Sequence, residues 1–402
     1  MKKTMRNTPE GTRDLLFEEC LARREVEYTL TDLFRQRGFS EVMTPGIEFF
    51  DVFQGGGAVM PAESMYKLSD NKGRLLVMRP DSTTPIARLV AARLQQAPRP
   101  IRLFYAQDVY HLNHGLSGHN DQEFQAGVEL IGAGGERADL EVLTLAAESL
   151  RRCAAGDYRI EIGHVGIFRA LAAELSEDEG VRAELHTCIE TKNYAALADL
   201  LDAMPAGGAV DAMRRLPRLF GGEEVLEAAE PLCRSGEMRA ALAYLKRLYR
   251  ALCRLGLGGQ VMIDLGLVHR NDYYTGVIFR GYMEGSGETV VSGGRYDHLL
   301  QEFGPPLPAT GFGVNVDALT KGMLAAGDVQ PPAPPDVLVH AAAGCETEAL
   351  QKAAELAGDG QVVECSVFDE LEEARAYAAA RGIGRVLVIR PDGAGECREE
   401  TI

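Results

Sequence analysis

The sequence predicts an α+β protein, an antiparallel sheet with helices packed on it. Stretches such as "IRLFYAQDVY" (101–110) and "EFQAGVELI" (123–131) alternate apolar and polar residues, as half-buried strands do. Helical patterns separate such stretches without the regular βαβ alternation of a parallel sheet. Residues 169–256, rich in Ala, Leu, Glu and Arg and nearly free of β-branched runs, read as a helical insertion into that sheet.

Along the chain, residues 15–38 place apolar side chains at helical spacing, from Leu15 and Leu16 to Leu33 and Phe34, and Gly38 ends the helix. "FSEVMTPGIE" is a short strand stopped by Pro45 and Gly46. Strands are expected at 75–79, 101–110 and 123–131, an amphipathic helix at 138–153, and a strand in "YRIEIGHVGIF". Four or five helices then fill 169–256. Strand-like sequence returns at "QVMIDLGLVHRNDYYTGVIFRGYM" and "ETVVSGGRYDHLL", and "PPLPATGFGVNVDALTKGM" supplies a turn, a strand and a helix. This makes a core of residues 1–327, closed by a Pro-rich linker of limited flexibility at 328–336. Residues 337–402 form a small α/β unit, in which "DVLVHAAAG", "QVVECSV" and "RVLVIR" alternate with helices over 346–357 and 369–381.

Composition narrows the function classes. The chain has 402 residues, 42 basic against 59 acidic, for a net charge of −17. That sign argues against a general nucleic-acid surface, which needs clustered Lys and Arg. No apolar run follows the two N-terminal lysines, so a secretory signal is not expected, and no stretch has the length of a membrane span. The eight cysteines (20, 153, 188, 233, 253, 345, 365 and 397) form no CxxC pair, which fits reduced cytoplasmic thiols better than disulfides or a zinc site.

"GGGA" (55–58), "GAGG" (132–135) and "GLGG" (256–259) match neither phosphate-binding glycine pattern and read as tight turns. His111, His114 and His119 lie close in sequence but lack a fourth donor, so neither a metal nor another cofactor is expected. More informative are polar residues at strand ends. "MRPDSTTP" places Asp81 and Thr83 directly after a strand, and Gln125 and Glu129, four apart, face one side of theirs. "DYYTG" adds Asp272, Tyr273 and Tyr274 in strand-like sequence. Carboxylates facing a sheet interior are expensive unless they meet a cation or donors. The set suits a zwitterionic ligand with an ammonium group and a second N–H donor. A glycosidase-type carboxylate pair has no further support, and no GxSxG nucleophile occurs.

The same residues carry a family resemblance. "PEGTRDLL", "GFSEVMTPGIE", "MRPDSTTPIARL", "FQAGVELIG", "LVHRNDYYTGVIF", "SGGRYDHLLQEFG" and "ATGFGVNVDAL" stand in the order found in class II histidyl-tRNA synthetases, over residues 8–325. The resemblance implies a six-stranded antiparallel core and a homodimer with Pro45 at its interface. It implies that Asp81 and Thr83 meet the α-amino group of a bound histidine, that Gln125 is a further contact to it, and that Glu129 and Tyr274, beside Tyr273, hold its imidazole. Asp81 stands where the synthetases have the longer glutamate.

The adenylating arginines are replaced. On this resemblance His111, His269 and Ala318 stand where the synthetases have arginines, and Asn113 where they have a glutamate. Removing one such charge stabiliser lowers a rate on the order of 10²- to 10³-fold. Arg270, one position away, is expected on the opposite strand face. The C-terminal unit is shorter than a synthetase's anticodon-binding domain and, with 14 acidic and 6 basic residues from Asp336 to Ile402, poorly suited to a tRNA backbone. A histidine pocket without these arginines and with a truncated tail resembles the regulatory subunits of ATP phosphoribosyltransferase. That implies no catalytic residues and no tRNA. The implied partner is a short-form ATP phosphoribosyltransferase catalytic subunit, in a hetero-octamer of four plus four, with feedback inhibition by histidine. An active synthetase, or a histidine-binding paralogue with another partner, remains the alternative at this level.

Overall fold

The computed structural model describes residues 6–55, 60–113, 120–153, 156–269, 273–327, 331–391 and 397–401. The chain divides into two compact units, Met1–Val329 and Gln330–Ile402.

In the first unit, helix α1 (Phe17–Gln36) buries Val26, Leu30, Leu33 and Phe34 along one stripe, and two residues of strand β1 (Ser40–Glu41) follow it. A small antiparallel sheet comes next: β2 (Ile47–Phe49), β3 (Lys67–Ser69) and β4 (Leu75–Met78), with β4 in the middle. Helix α2 (Thr83–Arg93) leads to β5 (Ile101–Tyr110), β6 (Gln122–Ile131), α3 (Glu136–Cys153) and β7 (Tyr158–His164). The segment after β7 holds helices α4 (Val165–Leu175), α5 (Glu179–Glu190), α6 (Tyr194–Asp202) and α7 (Gly208–Arg215), strand β8 (Phe220–Gly221), then α8 (Glu223–Ala229) and α9 (Gly236–Arg254). The chain returns through β9 (Val261–Asp264), β10 (Val277–Met283), β11 (Thr289–Arg295), β12 (Ala309–Asn315) and α10 (Val316–Ala326).

The main sheet has nine strands in the order β1-β5-β6-β12-β11-β10-β7-β9-β8. Its six central strands, β5 to β7 in that order, are all antiparallel, while β1 and β9 add in parallel at the flanks. One face carries Phe104, Val128, Phe279 and Phe312 against α1, α3 and α10. The other carries Leu103, Tyr105 and Ile278, with Ile86 and Val90 of α2, and is left partly open. That open face holds the candidate site.

Three local readings differ from the sequence expectations. "YRIEIGHVGIF" is not one strand: His164 ends β7 and its Nδ1 accepts the Gly166 N–H at 3.1 Å, capping α4. The helical segment has six helices rather than four or five, because short turns divide it. The segment around "DYYTG" is not continuous strand either. The Asp264 carboxylate accepts the Gly266 N–H at 2.9 Å, an Asx turn that ends β9, so Tyr273 and Tyr274 lie in the loop before β10.

The second unit contains β13 (Val337–Ala341), α11 (Glu346–Gly358), β14 (Val363–Cys365), α12 (Leu371–Arg381), β15 (Val386–Pro391) and β16 (Cys397–Thr401). β14, β13 and β15 are parallel, and β16 closes the edge antiparallel. Cys345 in this unit is disulfide-bonded, against the expectation of reduced thiols throughout.

Candidate ligand-binding site

A cavity of about 270 Å³ opens on the partly covered sheet face, and Asp81, Thr83, Gln125, Glu129, Tyr273 and Tyr274 all line it. Asp272 and Arg270 lie outside the described residues, as do His114 and His119. Among the described residues no cluster of three metal-ligand side chains occurs.

Each side chain arrives for a local reason. Gln125 and Glu129 sit on β6 with Gly127 between them, and the two-residue period sends both to the cavity. β12 lies alongside, with Gly311 opposite Glu129, Gly313 opposite Gly127 and Asn315 opposite Gln125. A side chain at Gly311 would collide with the Glu129 carboxylate, and one at Gly313 would come 2.8 Å from Cδ of Gln125. The glycines make room for the longer polar groups. Asp81 and Thr83 come from the start of α2. Both Asp81 oxygens accept from Thr84, from its N–H and its hydroxyl at 2.8 Å each, which ties the carboxylate to the first helical turn.

Glu129 is the electrostatic centre. Thr83 donates its hydroxyl to Oε1 at 2.7 Å, and the Tyr296 hydroxyl donates to Oε2. Burial still dominates and lifts the Glu129 pKa to about 8, with the nearby Asp81 charge pushing the same way. Burial also raises Asp81, against the pull of its Thr84 bonds. Glu123, on the cavity rim, is raised to about 8 by burial and by Asp317 and Glu288. The Tyr105 hydroxyl donates to Oε1 of Gln125 at 2.8 Å. Tyr273 packs on Tyr274 with ring centres 4.7 Å apart, and Tyr296 stands edge-on to Tyr273 at 5.7 Å. The tyrosines form an aromatic wall.

No arginine or lysine lines this cavity among the described residues. His111 and His269 line it instead. Neither ring nitrogen of His269 has a hydrogen-bond partner, and both are buried; desolvation drops its pKa to about 3. The nearby described arginines are committed elsewhere. Arg79 donates to the Thr44 and Asp108 carbonyls, Arg280 to the Val268 carbonyl, and Arg295 forms a two-bond ion pair with buried Asp139.

A neighbouring hollow of about 460 Å³ contains Ala318, with Glu123, Glu288 and Asp317 facing Arg13 and Lys321. Lys321 is already paired with Glu288 at 3.0 Å. Asn113 donates its amide to the Asn120 carbonyl. This surface offers little to a polyphosphate.

Sequence reasoning missed Tyr105 and Tyr296, which reach the cavity from β5 and from the end of β11. The signal for Tyr105 was present: alternation along β5 puts it on the Leu103 face, while Phe104 joins the opposite core.

The fold and the pocket together define a histidyl-tRNA synthetase-like protein with a cavity lined by carboxylates, an amide and tyrosines and no cationic phosphate clamp among its described lining residues. The histidyl-tRNA synthetase family profile matches residues 11–319. A Clostridium kluyveri ATP phosphoribosyltransferase regulatory subunit is 40% identical over 378 residues, covering 93% of this chain and 97% of that protein. A Bacillus cereus protein of the same name is 39% identical over 390 residues, covering 96% and 92%. A solved Bacillus halodurans structure, described as an ATP phosphoribosyltransferase regulatory subunit/histidyl-tRNA synthetase, aligns with a TM-score of 0.83 at 30% identity, covering 97% of this chain and 99% of that one. The chain belongs to the family of ATP phosphoribosyltransferase regulatory subunits.

Proposed function

We propose that this chain is a non-catalytic subunit that binds histidine in the central cavity and so sets the activity of a short-form ATP phosphoribosyltransferase catalytic subunit. One observation carries the reading: the cavity is lined by carboxylates, an amide and tyrosines, with no lysine or arginine among the described residues. Such a lining favours an ammonium group and ring N–H donors and gives a transferring phosphoryl group nothing to stabilise it. Asp81, Thr83 and Gln125 take the α-ammonium, and Glu129 with Tyr274 takes the imidazole, Tyr273 backing the ring. Aminoacylation and tRNA binding are not part of this role.

The control is linkage. If histidine prefers one conformation of the complex, it shifts the partner's activity by that preference, typically ~1–3 kcal/mol. Feedback inhibition of the first step of histidine biosynthesis follows, in a hetero-octamer of four subunits of each kind. A homodimer of this chain is its building block. α1 and the strands after it expose Tyr28, Met43, Ile47 and Phe49, an apolar surface beside Pro45 that suits such a contact. No helix among the described residues is long and apolar enough to cross a membrane. The cytoplasm, where the partner's nucleotide substrates are found, is the setting this role requires.

The test mixes the purified chain with a short-form catalytic subunit. Phosphoribosyl transfer should rise on mixing and fall on adding histidine, and the chain alone should show no histidine-dependent ATP–pyrophosphate exchange. Clear exchange, or no effect on any short-form partner, would overturn the proposal.

A further inference from the structure

A second cavity, of about 260 Å³, lies on the same sheet face beyond the central one, roofed by the α5–α6 turn and the segment before β8. Its floor is charged. Glu161 on β7, Asp264 at the end of β9 and Arg280 on β10 point into it, and Lys192 reaches in from the roof. Glu161 and Arg280 are directly opposite in the antiparallel register of β7 and β10. Neighbours so placed ordinarily pair. Yet none of these carboxylates comes within 4.0 Å of either cation among the ion pairs of the described residues. Arg280 and Lys192 act on both carboxylates through space, but burial outweighs them and leaves Glu161 and Asp264 with raised pKa values. Opposite charges face one another across a gap.

The roof gives an independent sign. Lys192 follows the C-terminus of α5 with a φ of +55°, a left-handed conformation where helices ordinarily place glycine. A lysine held in that conformation points to a use for its side chain.

We propose that this cavity is a second small-molecule site, for an α-amino acid with an apolar or aromatic side chain. The ammonium group sits between Glu161 and Asp264, the carboxylate bridges Lys192 and Arg280, and the side chain lies against Tyr194 and Phe220. A zwitterion closes the gap that the protein's own charges leave open. The site also adjoins the central cavity. Leu267 and Val268 line the one and His269 lines the other, and Arg280 donates to the Val268 carbonyl at 2.8 Å. A ligand engaging Arg280 therefore pulls on the partition between them, so occupancy here changes affinity there.

The binding claim does not depend on histidine occupying the central cavity. Calorimetry of the full chain carrying Glu129→Gln, which disables the central cavity, is run against the common amino acids up to about 1 mM, the weak end of useful affinity. At least one should bind at one site per chain, with Lys192→Gly and Asp264→Asn each weakening it tenfold or more and Lys192→Arg retaining it. Lys192→Gly suits the left-handed backbone and keeps the fold, so it carries the test if Asp264→Asn is unstable. Binding by none of them, or binding indifferent to Lys192→Gly, would overturn the proposal. Failure here with intact histidine binding in the unmodified chain leaves the central-cavity reading standing.

Discussion

The Thr83 hydroxyl, at the first position of α2, donates to the Glu129 carboxylate on β6 at 2.7 Å, joining the helix to the sheet across the floor of the cavity. Where Glu129 gives its proton up to a bound imidazole it becomes charged, and a hydrogen bond to a charged group contributes about 1.5–3 kcal/mol. Thr83→Val keeps the shape and removes the donor, so histidine binding should weaken roughly tenfold or more by calorimetry. Unchanged affinity would remove Glu129 from the ligand's contacts.

Glu129→Gln should separate binding from stability. The folded Glu129 pKa is raised to about 8, so its contribution to stability is fullest below the ordinary carboxylate value and is lost as pH rises through about 8. Glutamine has no charge to desolvate. The variant should therefore melt higher than the parent at pH 9, with a smaller difference at pH 5, while losing histidine binding. A melting temperature equal to or below the parent's at pH 9 would count against a strained carboxylate.

The same shift gives histidine binding a pH optimum. Between the ring's ordinary pKa, about 6.5, and the Glu129 value, about 8, the free protein carries the proton and the free ring is neutral. One proton shared by Glu129 and the imidazole then enters the complex with no net exchange. Below that window the ring must lose a proton on binding, and above it Glu129 must gain one. Affinity should fall on both sides, and calorimetry in buffers of different ionisation enthalpy should find proton transfer only outside the window. A monotonic profile would refute the shared proton.

How much of this was legible in the sequence depends on the range of the interactions. The positions of β5 and β6 follow from a two-residue period, and with them the shared facing of Gln125 and Glu129. Two signals were overridden locally. The Asx turn at Asp264 stopped a β9 that reads as continuous strand, and the His164 cap turned "VGIF" into helix. Tyr296 was not legible, because its partner Glu129 is distant in sequence and only the order of strands brings them together. β16 was missed because "CREET" carries no apolar alternation; its pairing with β15 supplies the order. The "TGFGVN" glycines did carry a signal, since alternate glycines in a strand mark a close approach.

Arg295 and Asp139 anchor the end of β11 to α3. Arg295 donates to both Asp139 oxygens, at 2.6 and 3.0 Å, and the Asp139 side chain is fully buried. Tyr244 of α9 also donates to Asp139, so the pair ties the helical segment to the sheet. Breaking such a pair from one side costs about 3–5 kcal/mol, because the partner stays buried and charged. Arg295→Met should lower the stability of this unit by that amount in denaturant titrations. The double variant Arg295→Met with Asp139→Leu should recover part of it. If the single variant falls within 1 kcal/mol of the parent, roughly the value of an exposed pair, the pair is not an anchor.

His269 has two buried ring nitrogens with no partner and a pKa dropped to about 3. A histidine so depressed is neutral at pH 7; its contribution to stability is present above its unfolded pKa, about 6.5, and is lost as pH falls toward 3. At pH 5 the loss amounts to about 2 kcal/mol. Replacing a buried unsatisfied group by an apolar one of similar shape is neutral or stabilising. His269→Met should therefore hold its stability between pH 7 and pH 5 better than the parent, by about that amount. His269→Arg should not create ATP–pyrophosphate exchange, because His111 and Ala318 still stand at the other two positions where the synthetases have arginines, and Lys321 beside Ala318 is already paired with Glu288. Exchange appearing from that single change would mean that one arginine suffices, and the reading of the cavity as a sensor would have to be abandoned.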